Sequence, residues 1–203
     1  MAARYRVVEL IVAVCVVVIS VASLFVAVYQ GRVMDRTLAA SVMPIMDYSS
    51  GNFSEMHQDS RIELDVRNNG LGPAQVHYLA MSYQGEPSTS LARLMADCCA
   101  PEGMSQDERQ TYVGQILSGG HTNLITEIVG GRVFAPQQRI VFFAMPRPAN
   151  PEALAVWEAF DNARYDLELE MCYCSVLEDC WIARFPQQSR IAVDQCEPPT
   201  GSL

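Results

Sequence analysis

The chain has 203 residues, half of them hydrophobic, and a formal net charge of -9. That charge excludes non-specific nucleic-acid binding, which needs cationic side chains to neutralise phosphates. All 14 basic residues are arginine, which also excludes Schiff-base lysine chemistry, a phosphate-loop lysine and a Ser-Lys dyad.

In chain order, residues 1–6 read as a short cytoplasmic tail. From Val7 to Tyr29 the sequence is apolar except for Glu9, Ser20 and Ser23, long enough for a hydrocarbon core that needs about 20 residues. It exceeds the apolar stretch of about 7–15 residues found in a cleaved signal peptide, so residues 7–29 are expected to remain as one transmembrane helix. Arg4 and Arg6 on one side balance Arg32 and Arg36 on the other, and the N-terminal amine tips the orientation toward an inside N-terminus. Residues 30–43 keep Val33, Met34, Thr37, Leu38 and Ser41 at helical spacing until Pro44, which predicts a juxtamembrane helical stalk. Residues 44–60, rich in Ser, Gly, Asn and Asp, read as a linker. They include Asn52-Phe53-Ser54, a glycosylation pattern that matters only in a eukaryotic host.

A globular domain is expected over residues 61–190, with 191–203 as a C-terminal tail. Ile62, Leu64 and Val66 alternate with Glu63, Asp65 and Arg67, the period of a half-buried strand. Asn68 through Pro73 then turn the chain, with Asn and Gly supplying positive backbone angles. Further strands are expected at Ala74 to Tyr83, Thr111 to Leu117, Thr122 to Val129, Arg139 to Met145, Tyr165 to Ser175 and Cys180 to Phe185. Two short helices are expected: Leu91 to Cys98, capped by Ser88 or Ser90, and Glu152 to Asp161, opened by Asn150 and Pro151. The fold class that follows is mainly β with minor α: an N-terminal transmembrane helix and stalk, then an antiparallel β-sandwich, immunoglobulin-like in the broad sense.

Cys98, Cys99, Cys172, Cys174, Cys180 and Cys196 form an even set in the domain, apart from Cys15 in the membrane segment, as expected for disulfides in an oxidising compartment. Six cysteines allow 15 pairings, and the hairpin from Cys172 to Trp181 favours Cys174 with Cys180. The C-x-C and C-C spacings lack the usual zinc-knuckle form. Asp166, Glu168 and Glu170 line one strand face and read as its solvated side, while Tyr165, Leu167, Leu169, Met171 and Tyr173 face the core. His57, His77 and His121 form no metal-binding array, and Ser118-Gly119-Gly120 is a turn rather than a hydrolase elbow. The sequence thus names no catalytic residue, metal ligand or cofactor site. An enzyme would need a site assembled only in three dimensions, for instance from Asp166, Glu168 and His77.

The run Met34 to Pro44, the turn Asn69-Gly70-Leu71-Gly72-Pro73-Ala74 and the hairpin Cys172 to Trp181, following a membrane helix, resemble uncharacterised bacterial single-pass membrane-anchored proteins. That resemblance implies bacterial origin and topology, and carries no activity. Glu9-Leu10-Ile11-Val12 also resembles the start of the apolar helix of type IV pilins and pseudopilins, which precedes a β-rich, disulfide-bearing head. The residues ahead of Glu9 are Ala3, Arg4, Tyr5 and Arg6, without the glycine that ends a pilin leader. The combined expectation is an inner-membrane protein with a periplasmic domain. Its partners are the lipid bilayer, through residues 7–29, and another envelope or membrane protein, which small residues Ala13, Ser20, Ala22, Ser23 and Ala27 could pack against.

Overall fold

The computed structural model describes residues 2–88, 90–120 and 122–198. The chain divides into two units, one ending at Ser41 and the other beginning at Val42. Helix α1 (Ala2–Ser41) is 40 residues long, about 60 Å at about 1.5 Å per residue. From Glu9 onward it is long and apolar enough to cross a membrane. Its apolar side chains, such as Leu10, Ile19, Leu24 and Phe25, are exposed, and an all-round apolar surface suits lipid better than a single core face. The Ser20 hydroxyl donates to the Val16 carbonyl at 2.8 Å and the Thr37 hydroxyl to that of Val33 at 2.9 Å. Both hydroxyls therefore satisfy themselves on their own helix.

The globular unit is built from two antiparallel sheets and three helices. The first sheet has the order β1 (Met46–Gly51), β2 (Arg61–Asn68), β7 (Arg139–Pro146), β5 (Ile125–Thr126). The second runs β10 (Ser189–Val193), β9 (Cys180–Phe185), β8 (Leu167–Cys174), β3 (Ala74–Tyr83), β4 (Glu86–Ser88), and β6 (Val133–Phe134) also pairs with β3. Both sheets contribute to one apolar core, which takes Ile62, Leu64 and Val66 from the first and Val76, Leu169, Met171 and Tyr173 from the second. Burial of each of these larger side chains stabilises the fold by about 2 kcal/mol. Tyr48 joins the sheets through ring contacts to Phe142 at 6.5 Å and Phe185 at 6.1 Å.

Helices α2 (Leu91–Cys99), α3 (Gln106–Ser118) and α4 (Pro151–Ala163) complete the core. Ser90 caps α2 by accepting from the Arg93 amide at 3.1 Å, and Asn150 caps α4 by accepting from the Ala153 amide at 3.0 Å. Trp157 of α4 donates its indole N–H to the Met145 carbonyl at 2.9 Å, and Phe160 packs edge-on against Phe143 at 5.1 Å. These two contacts fix α4 to the end of β7.

Several expectations require correction. Residues 44–60 are not a linker, because Met46–Gly51 pairs along β2, directing Met46, Tyr48 and Ser50 to the same side as Leu64 and Val66. Cross-strand pairing supplies the order that its polar composition conceals. Thr111 to Leu117 lies within α3, not a strand: Ser105 and Glu108 form a capping box that starts a helix, and Val113 and Ile116 share its buried face. Only Ile125–Thr126 of the expected strand Thr122 to Val129 is extended in pairing. Among the described residues the globular unit therefore has three α-helices rather than two. The domain also overruns residue 190, since β10 reaches Val193 and Cys196 is bonded back to β8.

The turn after β2 departs from expectation in a different way. Gly70 and Gly72 do not adopt positive φ. They are glycines because the backbone of Val42, Met43, Pro44 and Ile45 lies where their Cβ atoms would project. The amides of Asn69 and Leu71 donate to the carbonyls of Ile45 and Met43 at 2.7 and 3.1 Å. Close backbone approach, not turn geometry, sets the residue type. Gly72→Ala is expected to destabilise the protein by about 3 kcal/mol, read as a shift in reversible denaturation of the full-length chain in detergent.

Candidate functional site

The hairpin of β8 and β9 carries the densest chemistry. Its connection is held by Ser175, whose amide donates to the Asp179 carbonyl at 2.8 Å and whose hydroxyl accepts from the amides of Leu177 and Asp179 at 3.1 and 3.3 Å. Glu178 takes the positive φ of 64° that closes the turn. This register sets Cys174 directly opposite Cys180, and the two are disulfide-bonded with Cα atoms 4.0 Å apart. Cys172 bonds to Cys196 across 24 residues, with Cα atoms 5.6 Å apart, a loop closure that stabilises the fold by about 3 kcal/mol. Cys98 bonds to its neighbour Cys99 at the end of α2. Cys15, exposed on α1, is a free thiol.

His77 is the extra residue of a bulge in β3, between the pairs Val76 with Tyr173 and Tyr78 with Cys172. The bulge brings one ligand atom each of His77, Cys174 and Cys196 within 4.8 Å of one another. Both sulfurs are engaged in disulfides, so in this state they offer no thiolate to a metal. The sequence gives Cys174 and Cys196 as disulfide candidates only and does not place His77 beside them: a bulge depends on the partner strand and leaves no periodic signal.

The acidic row is dispersed. Asp166 lies in the single 3-10 turn that precedes β8, and Glu168 is exposed. Glu170 accepts from the Tyr78 hydroxyl at 2.9 Å and from Arg184 Nε at 2.7 Å. Burial, together with this hydrogen bond to Glu170, pushes the Tyr78 phenol well above its ordinary value. Glu168 pairs with Ser82, five residues along β3 from His77, about 17 Å at the rise of a strand. The three residues Asp166, Glu168 and His77 thus form no common site. His57 sits in an exposed loop, and His121 lies outside the described residues.

On the outer face of the first sheet, Arg139 donates to Asp65 at 2.8 Å and to Glu63 at 3.2 Å, and the Ser49 hydroxyl donates to Asp65 at 2.7 Å. Asp65 and Glu63 are 4% and 8% exposed, so these carboxylates are internal ion-pair partners rather than the open, solvated face that alternation suggests.

Among the clefts on the described surface, two differ in character. One, of about 360 Å³, is mainly apolar, lined by Leu79, Met81, Leu91, Ile128, Val129 and Phe142. The other, of about 540 Å³, opens between β1 and the β9–β10 edge, with Met46, Asp47, Tyr173, Phe185 and Arg190 among its walls. Neither is legible in sequence, since their walls come from segments far apart in the chain. Compared with protein-family models, curated proteins and solved structures, the chain matches none.

Two measurements follow. Alkylation of the denatured, unreduced chain is expected to modify one thiol, Cys15, and all seven after reduction. Burial pushes the Tyr48 phenol up to about 12, and among the described residues no group meets its hydroxyl in good hydrogen-bonding geometry. The unfolded chain therefore loses this proton first as pH rises above the ordinary phenol value of 10. The Tyr48 contribution is intact below that value and weakens by up to about 1.4 kcal/mol per pH unit until the folded phenol also ionises. Tyr48→Phe should be close to neutral near pH 7 and less sensitive to alkali than the wild type, as measured by denaturation across pH 8 to 12.

Proposed function

We propose that this protein is a membrane-anchored, non-enzymatic binding or assembly module of the bacterial cell envelope, held by α1 with its N-terminus inside and its globular unit on the periplasmic side. The observation that carries the reading is α1 itself: from Leu10 to Tyr29 it is apolar on every side apart from Ser20 and Ser23, with its apolar side chains exposed. An apolar surface of that length is stable in a bilayer and would aggregate in water. Three disulfides in the globular unit support an oxidising compartment, and Asp166, Glu168 and His77 stand too far apart to act as one acid–base site. In this reading the two sheets act as a sandwich, broadly immunoglobulin-like, that displays loops and clefts at its margins. The apolar cleft beside Ile128, which is 76% exposed, suits an apolar side chain of an envelope partner.

The decisive experiment is purification of the tagged full-length protein from its native membranes in mild detergent, followed by mass spectrometry. A stoichiometric envelope protein is expected, and Ile128→Asp should reduce its recovery by about tenfold or more. A partner-free monomer would overturn the assembly role.

A further inference from the structure

Four sulfurs and one imidazole converge on one side of the second sheet. Cys172 and Cys174 stand two residues apart on β8 and so point to the same face. Cys180 faces Cys174 from β9, Cys196 is bonded to Cys172, and the bulge in β3 supplies His77. The sulfurs of Cys174 and Cys196 are 3.8 Å apart although they belong to different disulfides. Two thiolates on one tetrahedral zinc ion, each at about 2.3 Å, also stand about 3.8 Å apart. His77 offers a ring nitrogen within 4.8 Å of both sulfurs, close enough for a small side-chain rotation to bring it onto the same ion.

We propose that this cluster is a redox-gated zinc site, closed while both disulfides are formed and open to Zn²⁺ when both are reduced. Cys174, Cys196 and His77 are three of its ligands, and a sulfur released with them, Cys172 or Cys180, is the fourth. Each disulfide takes two electrons and two protons from an external dithiol, which leaves as its own disulfide. Each coordinating cysteine then releases its proton to solvent as the metal binds, and His77 binds as neutral imidazole. Backbone pairing holds Cys172, Cys174, Cys180 and His77 in place, so reduction leaves these strands together while it frees Cys196, which lies beyond β10, to turn toward the ion.

The test uses the full-length chain in detergent with Cys15, Cys98 and Cys99 replaced by serine. It is reduced without oxygen by a water-soluble phosphine, which becomes a phosphine oxide with oxygen from water, and is titrated with Co²⁺ and then Zn²⁺. The expected result is one Co²⁺ per chain, with the absorption of tetrahedral thiolate coordination, displaced by Zn²⁺ and absent from the oxidised protein. His77→Ala and Cys196→Ser should each weaken binding by at least about tenfold, since even outer-shell changes have effects of that size. Cys172→Ser and Cys180→Ser identify the fourth ligand by which of them weakens binding similarly. The proposal is overturned if the reduced chain keeps its β-sheet circular dichroism yet binds no cobalt, or if His77→Ala and Cys196→Ser leave affinity unchanged. Loss of the sheet signal on reduction that zinc does not restore would overturn it equally.

Discussion

One buried amide side chain holds the globular unit together at the point where its first strands meet. Asn68 is fully buried. Its Oδ1 accepts from the amides of Ile45 and Gly70 at 3.2 and 2.9 Å, while its Nδ2 donates to the Gly72 carbonyl at 2.8 Å and lies 3.4 and 3.3 Å from the carbonyls of Phe134 and Ala135. Its own backbone exchanges bonds with Gln137 and Gln138. Only an uncharged amide both donates and accepts in this way. Aspartate would set a charge against carbonyl oxygens, and leucine would leave buried backbone groups unpaired. The start of β1, the turn after β2 and the approach to β7 consequently close on the same side chain.

The segment from Val42 to Ile45 depends on that closure. It is packed so tightly onto Gly70 and Gly72 that backbone occupies the space of a side chain, and its carbonyls receive the amides of the turn. Polar pairing and steric fit act on the same residues here, so altering either should loosen both. A comparable junction joins β1 to α4, where Arg164 reaches Ser50 at 3.1 Å and Asp161 at 2.7 Å.

The parts of the fold written in local pattern were legible from sequence. The membrane-length helix, the alternation of Ile62, Leu64 and Val66, the capping residues Ser90 and Asn150 and the cysteine hairpin each carry a signal within a few residues. What escaped was decided by partners distant in the chain. Met46–Gly51 is a strand because β2 accepts it, not because its residues favour extension. Thr111 to Val113 has strand-like composition, yet Ser105 and Glu108 upstream commit it to a helix. The same division applies to the site: the cysteines were visible as a set, whereas the approach of His77 to Cys174 and Cys196 depends on a bulge produced by pairing with β8.

The bond between Cys172 and Cys196 also changes how the domain would respond to mechanical load. Strands β9 and β10 stand between β8 and one margin of the second sheet, and without a crosslink a pull on the C-terminal segment would unzip them one hydrogen bond at a time. With Cys196 bonded to β8, tension entering beyond that residue bypasses both strands and reaches a strand paired on its two sides. Rupture then requires shearing several rows of bonds together, so the domain is built to resist traction from its C-terminal end for as long as that disulfide remains oxidised.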